Sequence, residues 1–213
     1  PSLPEQRALA SYFTSLDAQI AASTSRLSSL KQIKAASLLN MFPQKGETVP
    51  RVRFKGFEGE WEKVSVENIG TTYSGLSGKS KSDFGIGNSR YITFLNVLTN
   101  AHINTDMLEL VNVEKSEHQN LVHKGDLLFN TSSETPEEVG MCAVLDVELE
   151  DVYLNSFCFG LRVTNEGICS SYIVYLMRGR VGRHIMSYLA QGATRYNLSK
   201  NNFCKLKLPL PSL

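Results

Sequence analysis

Residues 1–42 read PSLPEQRALASYFTSLDAQIAASTSRLSSLKQIKAASLLNMF, and between Pro4 and Phe42 there is no internal proline and no glycine. Ala, Leu, Ser, Gln and Lys dominate, a composition that favours one long helix. Pro4 suits the first helical turn, Glu5 complements the positive end of the helix dipole, and Pro43 followed by Gly46 closes the segment. Apolar residues recur at Leu9, Phe13, Leu16, Ile20, Leu27 and Leu30, with Met41 at the far end, in alternating steps of four and three. This is a heptad seam interrupted by Ser23, Lys34 and Ser37. At 1.5 Å per residue the helix is roughly 55 Å long, too long for a domain of this size to cover. Its length favours packing on another helix, from a second copy or from elsewhere in a longer chain, over service as a core helix of its own domain. The breaks leave room for a third helix.

After the helix, residues 43–49 read as a short hinge and residues 50–213 as one globular domain. Ser89 to Leu95, Gly125 to Asn130, Met141 to Val147 and Phe157 to Val163 read as strands, separated by Gly, Asn and Ser. Ser171 to Met177 and Gly182 to Ala190 read as helices, with Ser170 as an N-cap. The expected fold class is α+β, a long N-terminal helix followed by a mixed α/β domain.

With 213 residues, 42% of them hydrophobic, the chain can bury a substantial core. Cys142, Cys158, Cys169 and Cys204 form no CxxC pair, which reads as reduced, mostly buried thiols in a cytosolic compartment. No apolar run is long enough to cross a bilayer, and the first residues are too polar for a signal peptide. The chain lacks an initiator methionine, which leaves open a piece of a longer protein.

The net charge of +1 conceals a segregation. Residues 131–151 hold seven acidic and no basic residues, whereas residues 167–207 hold seven basic and no acidic ones. Such a division builds one positive face for a polyanion, unless folding interleaves the segments and cancels the field.

Catalytic signatures fail one by one. Gly78-Lys79-Ser80 resembles the end of a phosphate-binding loop, but the first glycine of that motif is replaced by Tyr73. Asp83-Phe84-Gly85 has no His-Arg-Asp loop ahead of it, and Gly85-Ile86-Gly87 lacks the third glycine of a dinucleotide turn. His102, His118, His123 and His184 form no HExxH arrangement, and no serine sits in a Gly-x-Ser-x-Gly elbow. Nor is there an Asn-Pro-Pro-aromatic or Asp-Pro-Pro-aromatic segment for amino-methylation. Nothing points to catalysis, metal binding or a cofactor held by this chain.

One family gathers the remaining features. The opening Pro-Leu-Pro-like start, Glu5-Gln6, Leu16-Asp17 and the Lys-containing tail ending at Met41-Phe42 resemble the conserved helical region of the DNA-specificity subunit of type I restriction-modification systems. Arg53-Phe54, Gly56-Phe57 and Trp61-Glu62 resemble the entry to that family's target-recognition domain. Lys124-Gly125-Asp126-Leu127-Leu128-Phe129 is similar to its Gly-Asp strand. Gln191-Gly192 through Asn197-Leu198-Ser199 to Leu208-Pro209-Leu210-Pro211 is similar to its closing segment. The final LPLPSL overlaps the initial PSLPEQ, as expected for one period of a protein built as domain, helix, domain, helix.

The resemblance implies a non-catalytic half-subunit, bacterial or archaeal, cytoplasmic and DNA-associated. Double-stranded DNA would be its ligand, with methyltransferase subunits and a restriction subunit as partners. S-adenosylmethionine would sit on the methyltransferase. Leu9, Phe13, Leu16, Ile20, Leu27, Leu30 and Met41 would pair the helix with an antiparallel partner, here a second copy in a homodimer. The helix then acts as a ruler, and ~34 Å per ten base pairs limits the centre-to-centre spacing of two half-sites to about 16 base pairs. A homodimer would read an interrupted palindrome, and a natural two-domain subunit an asymmetric site. A free-standing dimeric DNA-binding regulator without modification partners is the alternative; a small transferase would require a pocket with perturbed titratable groups.

Candidate DNA contacts follow from residue chemistry, since phosphates take Lys, Arg and polar donors while bases are read by forked groups. The loop from Ser74 to Arg90 offers Lys79, Lys81 and Arg90, and reads either as a backbone contact or as a solvated loop. The stretch Gln191-Gly192-Ala193-Thr194-Arg195-Tyr196-Asn197 combines a flexible glycine with a guanidinium, a phenol and two amides, and reads as a contact through Gln191, Thr194, Arg195, Tyr196 and Asn197 or as a structural turn. Thr131 and Ser132 follow the Gly-Asp strand, although Glu134, Glu137 and Glu138 nearby would repel phosphate unless they accept from cytosine amino groups. Arg178, Arg180 and Arg183 read as a solvated face or as phosphate contacts.

Overall fold

A computed structural model describes residues 2–192 and 195–211. The long segment is one continuous helix, α1 (Leu3–Asn40), of 38 residues with none buried. Pro4 and Glu5 occupy its first turn as the sequence predicts. At the far end Met41 N donates to Ser37 O (2.8 Å), and Gln44 Nε2 donates to the carbonyls of Leu39 and Phe42 (2.7 and 2.8 Å). With Val52 N donating to Asn40 O (2.9 Å), the Ser37, Leu39 and Asn40 carbonyls at the helix end are satisfied by protein groups.

The heptad seam is uncovered. Phe13 is 59% and Ile20 64% exposed, Leu9, Leu27 and Leu30 are exposed with them, and Leu16 and Met41 are half-buried. The break at Lys34 has a local cause: its ammonium sits 5.8 Å from the centre of the Tyr175 ring. From Ser37 to Asn40 the helix is half-buried, and Phe42 joins Trp61 and Tyr172 in an aromatic cluster with ring centres 5.6–6.3 Å apart. This cluster and the exposed Phe54 and Phe57 line an apolar cavity of about 410 Å³ at the junction. Residues 43–49 form a bonded turn. Gln44 N donates to Glu47 Oε2 (2.9 Å), Glu47 N to Gln44 O (2.9 Å), and Trp61 N to Thr48 O (2.9 Å). The Gln44 N–H and the Arg51 guanidinium together hold the Glu47 carboxyl below its ordinary range.

The body follows as β1 (Trp61–Ser65), β2 (Gly70–Ser74), β3 (Phe84–Ile92), α2 (Phe94–Thr99), β4 (Leu108–Val111), β5 (Leu127–Asn130), β6 (Ser132–Ser133), β7 (Cys142–Val144), β8 (Val152–Leu154) and β9 (Cys158–Val163). It closes with α3 (Ser170–Arg178), α4 (Arg180–Leu189), β10 (Tyr196–Asn197), α5 (Lys200–Cys204) and β11 (Lys207–Pro211). An antiparallel sheet runs β2-β9-β5-β7, and a second sheet runs β4-β3-β8 with β3 and β8 parallel. The antiparallel β1–β11 ribbon joins the two ends of the domain beside the base of α1. β5 is buried along its whole length: Leu127 and Phe129 enter one core, and Leu128 enters the other. That two-sided burial explains its unbroken apolar run. The first core centres on Phe129, Phe159 and Phe203, with ring centres 4.8–5.2 Å apart.

Several local expectations need correction. The strand expected over Ser89 to Leu95 ends at Ile92, because Thr93 Oγ1 accepts from Asn96 N (3.2 Å) and starts α2. The cap of α3 is Cys169, and Ser170 is already helical; its hydroxyl donates to Gly125 O (2.6 Å) and ties α3 to the start of β5. Arg178 and Arg183 are not a solvated face. The Arg178 guanidinium donates to the carbonyls of Cys142, Val97, Leu98 and Asn100, and that of Arg183 to Glu137 and Val139. Both are partly buried, and desolvation lowers their pKa values from the ordinary arginine value. Arg180 alone of the three is exposed.

The Gly-Asp motif also has a structural role. Asp126 is 2% exposed and accepts from Arg162 (2.9 and 3.2 Å), the Tyr73 hydroxyl (2.7 Å) and His123 N (2.9 Å). Arg162 lies 5.0 Å from the centre of the Tyr73 ring, and a side chain at Gly160 would strike that ring, its Cβ only 2.1 Å from Tyr73 Cζ.

Thiol chemistry offers a direct check on the core. Burial pushes the Cys142 and Cys158 thiols above their ordinary pKa, whereas Cys169 is exposed. Iodoacetamide at neutral pH is expected to modify Cys169 in the native chain and to spare Cys142 and Cys158 until denaturant is added, since the thiolate is the reactive form. Mass spectrometry of the alkylated peptides reads the result.

Candidate nucleic-acid interface

Two stretches that the sequence singles out separately are brought together. β6 and β10 pair antiparallel, with Ser132 opposite Asn197 and Ser133 opposite Tyr196. Gln191 and Asn197 exchange backbone hydrogen bonds (3.1 and 2.9 Å), which sets the two residues side by side. Leu198 N donates to Thr131 O (2.9 Å), while Thr131 N and Oγ1 donate to Phe157 O (2.9 and 2.6 Å). Thr131, Gln191, Arg195, Tyr196 and Asn197 therefore share one pole of the domain.

On that pole Gln191, Arg195 and Asn197 are exposed, and Tyr196 is half-buried against the first core as an anchor. Ser132 is 4% exposed, so it supports Asn197 through the backbone and is not a surface group. The Arg195 guanidinium lies 5.6 Å from the centre of the Phe157 ring, itself 54% exposed. Lys200 Nζ donates to Ser74 Oγ (2.7 Å) and fastens α5 to the end of β2. Thr194 lies outside the described residues. Sequence reasoning missed Phe157, Lys200 and Ser74 as parts of this pole; Lys200 belongs to the basic stretch, but Phe157 carries no signal beyond an aromatic before a strand.

The arrangement presents an amide and a guanidinium on a stiff support. Gly192 has φ +137°, and a Cβ there would lie 2.0 Å from Arg195 O. Gly192→Ala is expected to force the loop open, costing about 1–3 kcal/mol of local strain and exposing the backbone amides of Gln191 and Asn197 to faster hydrogen exchange. Unchanged protection at both amides would contradict this.

The other expected contacts lie elsewhere. Lys79 is paired with Glu117, its side chain 5% exposed, so its charge anchors a loop. Lys79 and the backbone of Glu114 hold the Glu117 carboxyl down, to about 2. Lys81 and Arg90 are exposed beside and within the second sheet, where Arg90 pairs with Leu110 and Val152. None of the three contacts the 191–197 loop among the described residues. In the same residues no group of three or more His, Cys, Asp or Glu could hold a metal ion, and no helix is long and apolar enough to cross a membrane.

The family model for the type I restriction modification DNA specificity domain matches residues 58–213, nearly three quarters of the chain. The chain belongs to that family. Its match begins just before β1, so the body from the β1–β11 ribbon onward is the specificity domain and α1 precedes it. Solved structures extend the likeness over α1. The HsdS subunit from Thermoanaerobacter tengcongensis aligns with a TM-score of 0.55 at 17% identity, over 99% of this chain and 47% of its own. A structure from a study of complex assembly and conformational transition of the type I R-M system aligns with a TM-score of 0.54 at 17% identity, over 100% of this chain and 49% of its own. The chain thus spans about half the length of the solved chains it matches. It corresponds to half of an S subunit, a long helix followed by one recognition domain.

Proposed function

We propose that this specificity-family chain recognises a DNA half-site through the pole at residues 191–197, and that two copies pair through antiparallel α1 helices to read a bipartite site. The uncovered seam is the observation that carries the pairing: a 38-residue helix with no buried residue leaves its apolar side chains in water. At 1.5 Å per residue α1 spans about 57 Å, which sets the two readers at most about 17 base pairs apart. Identical readers facing opposite ways recognise an interrupted palindrome.

In this reading Asn197, Gln191 and Arg195 read base edges, where forked donors and acceptors discriminate. Thr131, Tyr196, Lys81 and Arg90 contact or support the backbone. The chain supplies address without chemistry: methyltransferase subunits carrying S-adenosylmethionine, and a restriction subunit, assemble with it, and the chain itself holds no cofactor. Methylome sequencing of cells with and without the gene for this chain tests the role. The expected result is loss of modification at one bipartite motif; an unchanged methylome would contradict the proposal.

A further inference from the structure

A groove of about 990 Å³ with a mixed polar and apolar lining lies between the turn after α1, the β1–β11 ribbon and α4. Lys45, Lys63, Arg180 and Lys207 line it; all four are exposed, and none is paired with a carboxylate among the described residues. Lys63 lies opposite Pro209 and Lys207 opposite Ser65, so the two lysines project diagonally from one face of the ribbon. The groove holds two carboxylates, Glu47 and Glu137, and Glu47 is already engaged by Arg51 at 3.0 Å. Arg183 also lines the groove, and its Nη1 is buried with no hydrogen-bond partner among the described residues.

The groove continues toward the reading pole. Arg180, His184 and Tyr188 recur every four residues on the exposed side of α4, with Tyr188 85% exposed. Gln191 follows two residues beyond the helix end. The helix covers about 15 Å, roughly the axial rise over four or five base pairs at ~3.4 Å per step. The geometry points to a second nucleic-acid site: the groove takes the phosphodiester backbone of duplex flanking the half-site, while the pole reads bases. This deepens the DNA-recognition reading and rests on it.

Backbone contacts have a signature that base contacts lack. Each neutralised phosphate contributes about −0.9 to the slope of log affinity against log salt. A full-length chain carrying Lys63→Ala, Arg180→Ala and Lys207→Ala is expected to show a salt slope shallower by about 2.7, so the wild-type advantage shrinks roughly 40-fold between 50 and 200 mM salt. Affinity for the selected duplex and for a random duplex should fall in parallel. Lys63→Arg with Lys207→Arg should keep the wild-type slope, and Arg195→Ala should change discrimination between duplexes more than slope. A triple variant with the wild-type circular dichroism and an unchanged slope would overturn the groove assignment while leaving the reading pole intact. The same unchanged slope with lost capture of methyltransferase subunits would make the groove a protein-docking surface and overturn the assignment too. A wild-type chain that binds neither duplex would overturn both the groove and the function on which it rests.

Discussion

Replacing Phe13, Ile20 and Leu27 together by aspartate is expected to convert a helix-paired particle into single chains and to abolish high-affinity binding to a two-half-site duplex. The three side chains are 59%, 64% and 53% exposed in the lone chain, successive ones seven residues apart on the seam. Burying one such residue against a partner stabilises the pair by about 1.5–3 kcal/mol. By two-fold symmetry each substitution acts twice, so the triple variant forfeits on the order of 9 kcal/mol or more before like-charge repulsion between facing aspartates is added. That is several orders of magnitude in the dissociation constant. The recognition domain should be unaffected, because no residue of α1 is buried and only its last turns approach the body. Sedimentation analysis reads the mass, and thermal melting of the body shows that the domain survives. A triple variant of unchanged mass would show that the seam does not form the interface.

Arg178→Met is expected to destabilise the domain by about 3–5 kcal/mol, the range seen when one member of a buried charged network is removed. The Arg178 side chain joins elements remote in sequence. Nε donates to Cys142 O on β7 (2.6 Å), and Nη2 reaches Val97, Leu98 and Asn100 O at the end of α2 (2.8, 3.2 and 2.5 Å). These are the carbonyls that a helix C-terminus leaves without partners, and a cation there also offsets the negative end of the helix dipole. Methionine fills a similar volume yet donates nothing, so the acceptors lose their partner and each unsatisfied group costs about 1–3 kcal/mol. Arg178→Lys should recover only part of the loss, since a single ammonium cannot match the fork. Urea denaturation measures the change; a loss under 1 kcal/mol would mean that water replaces the guanidinium without penalty.

The two arginines also mark the limit of what the sequence discloses. Arg178 lies in a run of seven basic and no acidic residues, which reads as a charged face. Its partners are backbone carbonyls up to 81 residues away, and carbonyls leave no trace in side-chain composition. The long helix is legible because its signal is local: no glycine or proline interrupts it, and both ends carry their stop signals. β5 is legible as an apolar run for the same reason. β11 is not, because Pro209 and Pro211 argue against a strand until its place as a ribbon edge beside β1 is seen. At the reading pole the sequence names residues 131–132 and 191–197 by chemistry, but their pairing is a nonlocal fact of the β6–β10 ladder. It also lends Lys79 to DNA, whereas Glu117, 38 residues away, holds it.

In the proposed assembly the uncovered 38-residue helix keeps two sequence readers at a fixed separation. Selection of bound duplexes from a random pool by the full-length chain tests it most directly. The expected result is two short inverted half-sites separated by a spacer of constant length and unconstrained sequence, with centres no more than about 17 base pairs apart, the reach of α1. A single uninterrupted motif, or half-sites whose spacing varies freely, would contradict it.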